Sequence, residues 1–167
     1  LGRVHWFDVE TGTYPNQHDS LLRELAAIVE LTDVLFEEIP PEGGLEGPRD
    51  GHVYTLHAWA GGKRFTVPAK DHGDWYDVEA VLELLEAVLV AQGSDNRFML
   101  LRTGDQTARI LGGPANALAE LWSAGLVRGE GVHSAMDDGK AFEERVFQQL
   151  QRIHPEVQRD IALPAAD

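Results

Sequence analysis

The sequence predicts an α+β fold, a single domain in which a five- or six-stranded, mainly antiparallel sheet carries amphipathic helices on one face. Two observations point there. Short runs rich in β-branched and aromatic residues meet at Gly61-Gly62 and around Thr103-Gly104-Asp105-Gln106, and both junctions are hairpin signals. Longer stretches between these runs repeat their apolar residues at helical spacing.

Taken in order, Arg3 to Val9 reads as a strand, with Val4, Trp6, Phe7 and Val9, and a polar, turn-rich stretch follows it. Asp19 is placed to cap a helix whose apolar residues are Leu21, Leu22, Leu25, Ile28 and Val29. Val34 to Ile39 is a short strand stopped by Pro40 and Pro41, and the proline- and glycine-rich segment from Pro40 to Gly51 reads as a mobile loop. His52 to Ala60 and Lys63 to Ala69 form the first hairpin. Asp77 caps a helix reaching about Gln92, with Val78, Val81, Leu82, Leu85, Val88 and Leu89 inward. Arg97 to Arg102 and Thr107 to Leu111 form the second hairpin, and Gly112-Gly113-Pro114 leads into a helix that buries Leu118, Leu121 and Trp122 and stops at Gly125. A last helix starts at Asp137 or Asp138, turns Phe142, Val146, Leu150 and Ile153 inward, and ends before Pro155. Residues 1–154 are therefore expected to be the domain and 155–167 a loosely ordered tail.

This order repeats strand, helix, strand, strand. Phe7-x-Val9 matches Phe65-x-Val67, and Asp19 matches Asp77, which is the pattern of a duplicated βαββ unit. The expected core contains Trp6, Leu25, Ile28, Leu56, Phe65, Val81, Leu85, Phe98, Leu100, Leu118, Trp122 and Phe142, each on the apolar side of its element.

Charge narrows the function classes. The chain has 28 Asp and Glu against 14 Lys and Arg, a formal net charge of −14 over 167 residues. Residues 8–50 hold eleven acids and two bases, and residues 71–96 hold seven acids and no base. Such a surface repels nucleic acid and anionic membranes and draws in cationic partners. The lack of cysteine removes disulfides, thiol nucleophiles and thiolate metal sites, and fits a reducing, cytoplasmic setting. No apolar run approaches the roughly 20 residues that span a bilayer, and the first residues lack the order of a secretory leader.

No metal, nucleotide or serine-hydrolase motif is present in the sequence, so no catalytic residue, metal ligand or cofactor is assigned. The candidate residues belong to a partner-binding rim instead. If the halves are equivalent, the loop bearing Tyr14, His18 and Asp19 and the loop bearing Asp71, His72, Asp74, Trp75 and Tyr76 share one sheet edge. Aromatic rings among carboxylates give a basic protein partner both anchoring area and electrostatic steering. The hairpin tip adds Asp105 and Gln106 as hydrogen-bonding groups.

In size, charge and lack of a catalytic signature, the chain resembles in general character the small acidic immunity or antitoxin-like proteins. That resemblance implies a cytoplasmic inhibitor of a basic protein such as a toxin. Two alternatives stand beside it. One is a small metal-dependent or acid/base enzyme working through Asp71, His72 and Asp74 with Asp105, and the other is a non-catalytic subunit of a larger complex.

Overall fold

The computed structural model describes residues 3–41, 53–129, 131 and 134–153. Its elements are β1 (Arg3–Asp8), α1 (His18–Ile28), β2 (Val34–Ile39), β3 (Val53–Ala60), β4 (Lys63–Lys70), α2 (Val78–Ala91), β5 (Asn96–Leu101), β6 (Thr107–Pro114), α3 (Ala115–Ser123) and α4 (Ser134–Ile153). The expected tail, most of the 40–51 loop, and His52, His133 and His154 lie outside the described residues.

The fold is α+β, but the single five- or six-stranded sheet expected from the sequence is not what forms. The strands make two antiparallel three-stranded sheets, β1-β6-β5 and β2-β3-β4. Both expected hairpins are present, β3 with β4 and β5 with β6. The third strand of the first sheet comes from the far end of the chain, as β1 pairs with β6 from Arg3 opposite Gly112 to Asp8 opposite Thr107. Exchanging β1 with β4, β2 with β5 and β3 with β6 turns one sheet order into the other.

Helix packing explains the division. Helix α2 buries Val78, Ala80, Val81, Leu84, Leu85, Val88 and Leu89, an apolar stripe wider than one sheet face can cover. It packs on β3 and β4 of one sheet and on β5 of the other, while α1 packs on β1 and β6 of one and on β2 of the other. The two helices also touch each other, so each spans both sheets. The inner sheet faces carry Tyr54, Leu56, Ala58 and Ala60 on β3 and Ala108 and Ile110 on β6. Gly112 extends this pattern, because a Cβ there would come 2.7 Å from Val29 Cγ1. The glycines expected to lead out of the hairpin thus belong to β6, where α1 comes too close for a side chain.

Several local expectations shift. Helix α1 begins at His18, and Gln17, with no side-chain capping bond, precedes it. Glu38 of β2 substitutes by accepting the Asp19 N–H at 3.2 Å, while the Asp19 carboxylate takes Arg23 Nη2 at 2.5 Å. Asp77 caps α2 as expected, accepting from the Ala80 and Lys70 N–H groups at 3.1 and 2.8 Å. Of the expected core, Trp6, Trp122 and Phe142 are exposed. Trp6 lies on the outer face of an edge strand, Trp122 stands against Gly129, and Phe142 lies beside Arg145 on α4. Among the described residues no helix is long and apolar enough to cross a membrane.

Candidate functional site

The loop between β1 and α1 lies against the loop between β4 and α2, joined mainly through backbone groups. Thr11 N–H donates to the Asp74 carbonyl at 2.6 Å, and Tyr76 N–H to the Val9 carbonyl at 3.0 Å. Asn16, buried at the junction, donates through Nδ2 to the Gly73 and Trp75 carbonyls at 2.7 and 3.1 Å. Its Oδ1 accepts from Thr11 Oγ1 at 2.7 Å, and its N–H donates to Tyr54 Oη at 3.1 Å. A hydrogen-bonding side chain is needed here because the loop carbonyls are removed from water.

The two loops hold the sequence-predicted residues in unequal positions. His18 is fully buried, its Nε2 accepting the Asp77 N–H at 3.2 Å and its Nδ1 facing Glu38 Oε2 at 3.3 Å. Because Nε2 accepts, the proton of the neutral ring sits on Nδ1. Trp75 is buried as well, covered by α4 where Gly139 leaves no room for a Cβ against the indole and Gln106. Lys140 Nζ stands 5.7 Å from the Trp75 ring centroid. Neither His18 nor Trp75 offers surface to a partner; both position the rim.

Tyr14, Asp71, His72, Asp74 and Tyr76 are half-buried. Tyr14 Oη donates to Asp71 Oδ2 at 2.9 Å, and burial together with this carboxylate pushes the phenol well above its ordinary range. Asp71 Oδ1 accepts the Gly73 N–H at 2.9 Å, so both carboxylate oxygens serve the loop itself. Asp105 is exposed and closes its own hairpin, accepting the Thr107 hydroxyl at 2.5 Å and N–H at 2.9 Å; these bonds hold its carboxyl below the usual range. Gln106 reaches elsewhere, donating through Nε2 to Asp8 Oδ2 at 3.0 Å and to Glu10 Oε2 at 3.3 Å.

That amide borders a cleft the sequence reading missed. The cleft has a volume of about 360 Å³ and lies between β1, α1 and the two loops. Phe7 and Tyr76, with centroids 6.1 Å apart and planes at 74°, line it together with Leu21, and Asp8, Glu10 and Glu24 give it its charge. Its aromatic lining continues inward, since Tyr76 meets His18 at 5.3 Å and His18 meets Tyr54 at 4.7 Å. Glu10 was the available signal: it stands two residues past β1, at the position where the matching strand β4 has Pro68.

The field in this cleft is strongly negative. Burial, then the charges of Glu143, Asp74 and Asp8, push the Glu10 carboxyl above its ordinary value. Burial, then Glu24, Glu38 and Asp19, do the same to the Tyr76 phenol. Among the described residues no basic side chain pairs with Asp8, Glu10 or Asp74, and Glu24 has only His5 Nε2 at 3.0 Å. No group of three or more Asp, Glu or His among the described residues is arranged to hold a metal ion. The arrangement instead suits an organic cation, which aromatic faces and separated carboxylates bind together. Comparison with protein-family models, with curated proteins and with solved structures yields no match.

Proposed function

We propose that this chain is an acidic binding protein that holds a basic protein partner, in the manner of an immunity-type inhibitor, by taking a lysine or arginine side chain into the Phe7–Tyr76 cleft. The observation that carries the reading is that Asp8, Glu10 and Glu24 line one cleft with Phe7 and Tyr76, with no basic partner for Asp8 or Glu10 among the described residues; the Glu10 carboxyl is raised first by burial and then by Glu143, Asp74 and Asp8. A bound cation relieves that repulsion, and the aromatic lining adds about 0.5–2 kcal/mol of cation–π attraction depending on desolvation. The formal net charge of −14 supplies steering at a distance. A basic toxin is one partner with this chemistry, and the cysteine-free sequence agrees with action in the cytoplasm. The strand exchange between the sheets agrees with an origin by duplication of a βαββ unit.

The test must separate a site from net charge. An octa-arginine peptide titrated calorimetrically into the full chain at low salt is expected to lose at least tenfold in affinity when Glu10→Gln and Glu24→Gln are combined. Glu83→Gln with Glu86→Gln, which neutralises two exposed carboxylates on α2, is expected to change affinity less than threefold. Equal losses from the two pairs mean that the peptide reads total charge and that the cleft is not the site.

A further inference from the structure

We propose that the partner binds as an extended strand added to the open edge of β1, with basic side chains turned toward the cleft and apolar side chains toward Trp6. This inference rests on the cleft reading above and adds the conformation and sequence pattern of the partner. Strand β1 ends its sheet, and among the described residues no strand pairs with its other side. Val9 N–H donates to the Gln106 carbonyl. Since backbone groups alternate along an antiparallel ladder, Arg3, His5 and Phe7 direct theirs toward β6, and Val4, Trp6 and Asp8 direct theirs toward the open edge.

Side chains alternate too, in the other sense. His5 and Phe7 lie on the α1 side, where His5 meets Glu24 and Phe7 meets Tyr76. Val4 and Trp6 stand on the opposite face, 53% and 63% exposed. An added strand continues the pleat of its neighbour, so its side chains fall alternately beside Phe7, at the mouth of the cleft, and beside Trp6. Glu24 and the cleft behind it select lysine or arginine on the first side, and the exposed indole and valine select apolar residues on the second, where Asp8 closes the strand. The six residues of β1 provide about 20 Å of edge. Edge strands that must stay unpaired carry charged residues, proline or bulges; of the three edge-facing residues of β1, Val4 and Trp6 are none of these and Asp8 is the one charge. A second copy of this chain is the poorer occupant, because it brings another Asp8 and Glu10 and a net charge of −14 to the same place.

The experiment uses the full chain and two synthetic octapeptides of one composition, one alternating arginine and valine and the other with four arginines followed by four valines. Calorimetry is expected to show the alternating peptide binding at least tenfold more tightly, with new hydrogen-exchange protection at the Trp6 and Asp8 amides. Val4→Pro removes an edge-facing N–H and is expected to lower alternating-peptide affinity at least tenfold while leaving the block peptide unchanged. Trp6→Arg takes its place if the proline variant does not fold. Equal binding of both peptides, or indifference to the edge variants, overturns strand addition and leaves the cleft reading intact. Failure of both peptides to bind, or binding unaffected by Glu10→Gln with Glu24→Gln, overturns both. A dimer abolished by Val4→Pro gives the edge to a second copy and overturns the proposal.

Discussion

Strands β1 and β4 occupy equivalent places and are finished differently. Each is an outer strand of a three-stranded sheet, each pairs with the last strand of the other βαββ run, and each leads through a polar loop into a helix packed on both sheets. They share the inner residues Phe7 and Val9, Phe65 and Val67. On the outside they diverge, since β4 carries Arg64, Pro68 and Lys70, whereas β1 carries Val4, Trp6 and Asp8. Charge and proline close an edge to pairing; an exposed indole leaves it open. The difference teaches that two edges placed alike by the topology can be finished differently by side-chain chemistry.

The strongest way to break this comparison is to open β4. Arg64→Trp with Pro68→Val restores an edge N–H and removes a charge, and sedimentation velocity is expected to shift from a single monomeric species to concentration-dependent association at tens of micromolar. A variant that stays monomeric over that range means that these residues do not keep the edge closed. The second test acts on the junction of the two loops that follow these strands. Asn16→Ala leaves the Gly73 and Trp75 carbonyls without their side-chain donor, and urea unfolding is expected to show a loss of about 3 kcal/mol. A loss below about 1 kcal/mol would show that the backbone bonds alone hold the loops together.

Much of the local structure was legible because it depends on neighbours in sequence. Val34 to Ile39 is delimited by its own composition and two prolines, and α2 by its Asp77 cap and apolar period. What escaped depends on contacts across the chain. Nothing near Arg3 or Thr107 announces that they belong to one sheet, and nothing near Asp19 announces a cap contributed by Glu38. Periodicity placed Trp6, Trp122 and Phe142 in the core because an apolar residue on a regular face looks the same whether that face meets the protein's own interior or points outward. The site was legible in part. The expected match between the halves set the two loops on one sheet edge; they do meet, but β1 and β4 belong to different sheets, and Phe7, Leu21 and Glu24, read as elements of strand and helix, come around one cleft only through the fold.

The finest test concerns Glu10, which has no carboxylate counterpart on β4. Its folded-state pKa is raised, first by burial and then by Glu143, Asp74 and Asp8. For a carboxylate this sign means that ionisation opposes folding: the protein gains stability from Glu10 as pH falls through the raised value and loses it as pH rises. A bound arginine reverses the preference by stabilising the carboxylate, so binding releases a proton in the window between the ordinary carboxylate range and the raised one. Octa-arginine affinity is therefore expected to rise with pH across that window, by a few-fold at most because Glu10 is only half-buried. Glu10→Gln is expected to flatten this part of the profile and to stabilise the free protein slightly at neutral pH. Calorimetry in two buffers of different ionisation enthalpy measures the proton released by the wild type. No release, or the same release from Glu10→Gln, would show that the raised carboxyl does not meet the cation and that the contact lies with Asp8 and Glu24 alone.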